Sequence, residues 1–359
     1  MLRPTTLAEA QTAVRETPRL LARGGGSKPA LSTPIEGVTS LDLSALTGVL
    51  EYDPSEFTFT ALAGTRVAEV QAMLRAHGQY LPFDPPLADK GATLGGTVAA
   101  GLSGPGRYRY GGVRDFILGV RLVDGDGELI RGGGKVVKNA AGFDLPKLMV
   151  GSLGQLGVLV ELTFKVFPQA SAHITIVNRL APLDVAMEAL YRLYTARLEI
   201  DSFDMTPSSG GLLFWVRLAG LPEALPVRAE CVRVLLGGGE TLTGADEAAL
   251  WRSVNELERV PSGWTLVKVP LTPKHIAAVE GRLSATPAVR RYSAGGNVAW
   301  IATPDSPPAL DEVLSSLALS GLVIFGPPGY ARIGARTGQA FEQRVKSVFD
   351  PRQKFSVHG

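Results

Sequence analysis

Three observations predict an α+β fold built in two parts. The chain has 359 residues, 45% hydrophobic and 19% charged, enough apolar material for more than one core and too little charge for disorder. Its texture changes at Pro168, from glycine-dense segments to strands alternating with amphipathic helices. Gly157 to Pro168 sets Val158, Val160, Leu162, Phe164 and Val166 against Leu159, Glu161, Thr163 and Lys165, the two-residue period of a strand. Residues 1–168 therefore read as one domain. Residues 169–335 read as a second, an antiparallel sheet covered by helices on one face. Residues 336–359 read as a C-terminal segment that returns to the first domain.

The elements follow in order. Thr6-x-x-Glu9 reads as a capping box ahead of a helix carrying Leu7, Ala10 and Val14 on one face. Leu20 to Ala22, Leu41 to Leu43 and Phe57 to Thr60 read as strands. Val67 to His77 reads as a helix stopped by Gly78. Gly119 to Val123 and Glu128 to Arg131 are strands joined by an Asp-Gly-Asp-Gly turn. Past Pro168, strands are expected at 173–179, 198–204, 212–218, 265–271, 298–302 and 322–325. Helices are expected at 183–197, 223–236, 246–259, 274–283, 309–319 and 341–349.

Composition excludes several classes. Lys and Arg number 36 against 34 Asp and Glu, too even a balance for broad nucleic-acid or anionic-membrane binding. One cysteine, Cys231, allows neither an intramolecular disulfide nor a self-contained iron–sulfur cluster. The four histidines stand apart and make no metal spacing. A leader peptide or an 18-residue apolar run is not visible, so a cytoplasmic protein is expected, peripheral to a membrane only through partners.

The 42 glycines and 25 prolines exceed the ~43 that average usage gives the two together. The glycines fall into three groups: Arg23 to Lys28 (RGGGSK), Gly91 to Gly101 (GATLGGTVAAG), and Lys138 to Asp144 (KNAAGFD) with Gly151 to Gly157 (GSLGQLG). Consecutive glycines after a strand let backbone N–H groups converge on one anion with no side chain in the way. A glycine run beside a hairpin, such as Gly132 to Gly134, reads as a turn, and Gly24 to Lys28 alone reads equally as a turn or a binding loop, whereas the ordered set of three points to a binding site. The P-loop motif is missing and GxGxxG does not follow a strand, which argues against a P-loop or Rossmann site.

These residues carry a family resemblance. The set RGGGSK, PFDPP, GATLGGTVAAGLSGP, YGGVRDFILGVRLVDGDG and GGKVVKNAAGFDLPKLMVGSLGQLGVLVELTFKVFP resembles the FAD-binding domain of the PCMH, or vanillyl-alcohol-oxidase, type. Within that type it is most similar to the E subunits of bacterial glycolate oxidases (glycolate dehydrogenases). The resemblance is strong to about residue 168 and rests on order and length beyond it. It implies a PCMH-type FAD domain of two subdomains plus a helix-covered, antiparallel-sheet cap domain.

The resemblance also implies site residues. Gly24, Gly25, Gly26, Ser27 and Lys28 form the first pyrophosphate loop, and Thr93, Gly95 and Gly96 continue the cradle. Pro85 and Pro86 shape the wall beside the flavin, and Ala99, Gly101 and Ser103 line the flavin and ribityl chain. Gly154, Gly157 and Val158 present backbone at the adenine and ribityl end. Asp115 and Asp144 read rather as helix caps or turn acceptors. Relatives with covalent flavin often carry a histidine where this chain has Ser27. Cys231 reads as a small buried apolar residue. The FAD is therefore expected to be non-covalent.

The catalytic side is less legible. Oxidising a 2-hydroxy acid calls for a cation at the carboxylate and a base at the hydroxyl. Arg107, Arg109, Lys138 and Arg291 are candidates for the first, and His275, Tyr108 and Tyr110 for the second. Each reads more readily as a solvated or packing residue, and no catalytic residue is assigned. The His-x-Gly-Asp-Gly-Asn-x-His segment of related D-2-hydroxyacid dehydrogenases does not occur. The family's Phe-Asn-Pro-Gly-Arg-like ending is replaced by RQKFSVHG after Asp350-Pro351, with Phe355 left to keep its packing contact. The resemblance implies an FAD-containing subunit that oxidises glycolate or another short 2-hydroxy acid. It would work beside a second flavoprotein subunit and pass electrons to an iron–sulfur subunit. The rival expectation is a non-catalytic flavin relay or assembly subunit with a vestigial substrate site. A third reading is a stand-alone FAD oxidase.

Overall fold

Helix Leu7–Glu16 starts the chain and buries Ala10 and Val14. Thr6 caps it, accepting from the Glu9 amide at 3.2 Å. The Glu9 carboxylate turns to Thr5 instead, 2.7 Å from its amide, so the expected box is completed one residue early. The computed structural model describes residues 1–134 and 144–356. Strand Leu20–Arg23 pairs in parallel with Thr39–Asp42.

A five-stranded sheet forms the body of the first part, in the order Val49–Asp53, Thr58–Leu62, Val158–Lys165, Ile117–Val123, Leu129–Gly133. Its pairings are antiparallel. The alternating segment is the central strand, and both of its faces are covered. Val158 and Val160 pack with Ala10, Val14, Leu20 and Leu41. Leu159, Leu162 and Phe164 join a larger core with Phe59, Phe83 and Phe116. Phe59 stacks on Phe164 with ring centroids 5.5 Å apart.

The glycine group at 91–101 contains a helix, Leu94–Ala100, that its glycine pattern does not announce. Thr93 is its N-cap and Gly101, at φ 60°, ends it. Two glycines at about 1 kcal/mol each against alanine weaken the helical signal, and tertiary packing overrides it. Gly95 rests directly on Ala63, the residue after strand Thr58–Leu62: a Cβ there would sit 2.9 Å from the Ala63 Cβ.

Among the described residues the second part has a nine-stranded sheet. Its order is Glu240–Thr243, Ala172–Leu180, Gly211–Gly220, Ile200–Ser208, Val289–Ser293, Val298–Thr303, Thr265–Pro270, Ser320–Phe325, Arg332–Gly334. Its strands pair antiparallel among the described residues. One face, with Phe203, Phe214, Val267 and Ile301, packs against helices Leu183–Thr195, Leu225–Leu236, Ile276–Leu283 and Pro307–Ser316. The other is not bare. Leu266, Val298, Trp300 and Ala302 join the core of the first part. Helix Gly244–Asn255 also lies on that side, its Trp251 and Val254 against Trp215. The expectation of helices on one face is corrected here. Trp215 and Arg217 alternate with Phe214 and Val216, so their side of the sheet also needs cover, and Arg217 meets buried Glu247 at 2.8 Å. Strands Glu240–Thr243, Val289–Ser293 and Arg332–Gly334 were not anticipated, being short and polar.

The chain then returns. After helix Gln339–Phe349, Phe355 makes a parallel bridge to Leu20 and enters the cluster of Val14 and Val160. Buried Asp350 organises this turn, accepting from Lys354 N, Phe355 N and Lys346 Nζ at 2.8, 2.9 and 2.6 Å. The Lys354 ammonium donates to the Val14 and Arg15 carbonyls at 2.6 and 2.7 Å, closing the C-terminal end of the first helix. No helix among the described residues is long and apolar enough to cross a membrane.

Candidate functional site

Two glycine loops meet around one cavity. The first, Gly24 to Lys28, leaves strand Leu20–Arg23 and enters the short helix Pro29–Ser32, whose Ala30 lies in the cap-sheet core and whose Leu31 lies in the larger core of the first part. The second runs from Gly91 to Gly96. A Cβ on Gly24 would strike the Thr93 hydroxyl, and one on Gly25 would strike the Gly91 carbonyl. These two glycines let the loops touch. The left-handed backbone lies one residue on, at Gly26 (φ 72°).

The cavity between the loops is lined by Gly24, Gly25, Gly26, Ser27 and Lys28. Thr93, Gly95, Gly96, Ala99, Gly154 and Gly157 complete its sequence-predicted wall. Gly96 faces inward: a Cβ there would lie 3.9 Å from Lys28 Nζ. The far wall is tied to the glycine helix through Gly151 N to Val98 O, 2.9 Å, and Leu153 N to Ala99 O, 2.8 Å. Leu153, also in the wall, holds a left-handed φ of 53°, a conformation that costs about 1–3 kcal/mol for a side-chain-bearing residue. Sequence pattern gave no sign of it.

The electrostatics suit an anion. Lys28 is 6% exposed, and its ammonium donates to Ser27 Oγ at 3.0 Å. Among the described residues no carboxylate pairs with it. Burial pulls its pKa down to about 8, because a lone charge out of water favours its neutral form. Arg23 also lines the cavity, and its buried Nε has no hydrogen-bond partner. Glycines that leave room, an unmatched ammonium and an orphaned guanidinium N–H fit a pyrophosphate-bearing cofactor.

A second cleft opens beyond Ala100 and Leu153, which border both spaces. Gly101 and Ser103 lie here, with Ser103 Oγ accepting from Val113 N at 2.9 Å. The opposite wall comes from the cap sheet and helix Gln339–Phe349.

Three expected wall residues are placed elsewhere. Pro85 and Pro86 are buried and line neither space, the Pro85 carbonyl instead accepting from Asn255 Nδ2 at 3.3 Å. Val158 is fully buried among Val14, Leu20 and Val160, because alternation turns it to the sheet face away from the cavity that Leu159 lines. Asp115 accepts from Gly112 N at 2.8 Å and Asp144 from Lys147 N at 3.2 Å, both as caps.

Of the catalytic candidates among the described residues, only Arg107 lines the cleft. Arg109 pairs with Glu199 at 3.5 Å. Arg291 is tied to the Val254 carbonyl at 2.6 Å and to buried Asp204 at 3.5 Å. His275 is half-buried and caps its own turn at Thr272. Tyr108 packs on Tyr194 and Phe203, and Tyr110 on Tyr80 and Phe167. Lys138 lies outside the described residues. Cys231, expected to be buried, is exposed: its helix buries Leu225, Ala229, Val232 and Leu236, a stripe that leaves Cys231 on the solvent side.

One residue at the cleft was missed. Lys268 sits in strand Thr265–Pro270, where Val267 and Val269 face the helices. It faces the other way and donates to the Gly101 carbonyl at 2.9 Å. Burial, and then Arg107, pull its ammonium down to about 8. A lone lysine among apolar strand residues was the signal available.

Residues 1–133 match the family described as the FAD binding domain. With the geometry above, this part of the chain is an FAD-binding domain of the PCMH type, and the protein is a flavoprotein of α+β fold. The chain is similar to glycolate oxidase subunit GlcE of Escherichia coli, 39% identical over 234 residues, which are 65% of this chain and 64% of that protein. It is 30% identical to glycolate oxidase subunit GlcD of Bacillus subtilis over 180 residues, 50% of this chain and 38% of that one. The aligned regions thus span less than two thirds of both relatives. A solved alkyldihydroxyacetonephosphate synthase shares the fold, with TM-score 0.71 at 16% identity over 98% of this chain and 75% of its own.

Proposed function

We propose that this chain is the FAD-binding subunit of a glycolate oxidase-type complex, oxidising glycolate or another short 2-hydroxy acid and passing the electrons to an iron–sulfur partner. The observation that carries the reading is the glycine-lined cavity holding buried, unmatched Lys28. The similarity to GlcE and GlcD supports the substrate class. In this reading the amides of Gly24 to Ser27, the Ser27 hydroxyl and Lys28 hold the pyrophosphate, each charge-assisted bond contributing about 1.5–3 kcal/mol. Gly96 leaves them room. Ala99, Gly154 and Gly157 line the continuing wall. FAD bound there supplies the acceptor for the two electrons that leave with the α-hydrogen, while the hydroxyl proton passes to solvent. The described residues hold no cluster of cysteines, and Cys231 alone cannot ligate an iron–sulfur centre. A cysteine-rich subunit and a second flavoprotein subunit are the partners this requires.

Acid precipitation of the purified chain should release yellow FAD into the supernatant, and flavin retained in the washed pellet would contradict the non-covalent assignment at Ser27. Glycolate and D-lactate should then be added to the chain alone and to the chain co-expressed with both partners. Bleaching of the flavin, with turnover rising by orders of magnitude in the complex, is the expected result. One observation favours a relay or assembly subunit instead: Arg109, Arg291, His275, Tyr108 and Tyr110 lie away from both spaces. A chain that holds FAD yet never bleaches with substrate would establish that alternative.

A further inference from the structure

Six basic side chains at the cleft beside the cofactor cavity, exposed Arg114 among them, are matched unequally. Arg332 meets Glu342 at 2.7 Å, and Lys346 meets Asp350 at 2.6 Å. Arg336 is exposed and turns back on the Arg332 carbonyl at 2.6 Å. Lys268 and Arg107 differ from these. Lys268 comes from the cap sheet and Arg107 from the segment after the glycine helix, and both line the cleft. Among the described residues the Lys268 ammonium makes one hydrogen bond, to the Gly101 carbonyl. Among the described residues neither cation is paired with a carboxylate. Two like charges brought together from separate domains repel each other, and an anion between them reverses the sign of the interaction.

We propose that Lys268 and Arg107 together form the carboxylate-binding site for the 2-hydroxy acid, with the cap domain reading the substrate through Lys268. This rests on the oxidative reading above. The Gly24–Lys28 loop already supplies a separate cationic site for phosphate, so the pair is left for a second anion. Gly101 links the two sites: it ends the glycine helix whose first turn faces Lys28, and its carbonyl fixes Lys268. The depressed pKa of Lys268 is consistent with a cation that awaits a counter-charge.

The probe is oxalate, a two-carbon acid that cannot be oxidised by hydride loss, titrated calorimetrically into the FAD-loaded protein. Lys268→Met and Arg107→Gln are compared with the unaltered chain, the second being an exposed position where folding is not at stake. Both variants should keep full flavin content and bind oxalate about 10- to 100-fold more weakly, the range of one charge-assisted hydrogen bond. With glycolate, KM should rise by a similar factor and kcat much less. Unchanged oxalate affinity in both variants overturns the inference while leaving flavin bleaching by glycolate intact. Loss of FAD from both overturns it in another way, because the anion would then be the cofactor's phosphate. If the unaltered holoprotein neither binds oxalate nor bleaches with any 2-hydroxy acid, the oxidative reading fails and the inference fails with it.

Discussion

Lys28 concentrates the chemistry of the cofactor cavity in one side chain. Its ammonium is desolvated and titrates at about 8, below an ordinary lysine, so the folded protein holds the charge at a cost. Below pH 8 the charge is present and attracts pyrophosphate. As pH rises through 8 the lysine becomes neutral and that attraction goes. FAD affinity should therefore be flat below pH 8 and fall by up to about tenfold per unit above it. Lys28→Met should bind FAD at least tenfold more weakly at pH 7 and lose this pH dependence, as measured by flavin fluorescence. An unaltered pH profile in the variant would remove Lys28 from the site. The residues around Lys28 show what the sequence could reveal. RGGGSK was legible as an anion loop because its glycines are consecutive and follow a strand. The separate reasons for Gly24 and Gly25 were not, since their neighbours, Thr93 and Gly91, lie more than sixty residues away in the chain. Lys268 was illegible for a related reason: its meaning depends on which face of its strand turns to the first domain.

At the scale of elements, strong periodicity was read correctly and weak periodicity was not. Val158–Lys165 and Leu183–Thr195 carry unambiguous patterns and lie within a few residues of their expected limits. Leu94–Ala100 was hidden by its glycines, and Val289–Ser293 by its charges. Helix Gln339–Phe349 was expected, but the buried network at its end was not. Lys346 and Asp350, with side chains 4% and 0% exposed, pair four residues apart. The same ammonium donates to the Gln155 and Phe355 carbonyls at 3.2 and 3.0 Å. Removing one partner of a buried ion pair strands the other charge and costs about 3–5 kcal/mol. Lys346→Met should lower unfolding stability by that amount in urea titration with its m-value unchanged. A loss under 1 kcal/mol would mean that water reaches Asp350 readily.

Over the whole molecule, the cofactor loop answers to both cores. Ala30, two residues past Lys28, lies in the cap-sheet core, and the adjacent Leu31 lies in the core of the first part. Ordering the loop around FAD should therefore stabilise both parts together. All four tryptophans lie beyond residue 168, and Trp264 and Trp300 pack on the core of the first part, so their fluorescence reports the second part and its contact with the first. At a free FAD concentration of about 100 Kd the folded state gains about 2.7 kcal/mol. The tryptophan-detected melting midpoint should accordingly rise by several degrees in the holoprotein. A midpoint indifferent to FAD would show that the two parts unfold independently.

The buried lysine beside the first helix has a bearing on how the polypeptide is made. Lys354 grips the carbonyl of Val14, a residue 340 positions earlier. At ~5–20 residues per second these two leave the ribosome roughly 20–70 s apart. Through that interval the nascent amino-terminal helix has no Lys354 at its C-terminal carbonyls, and the groove over Leu20 has no Phe355. The domain that begins the chain is thus among the last to be finished. Premature termination just short of the closing residues would leave its apolar seam open to chaperones and proteases, even with every glycine of the cofactor cavity already synthesised.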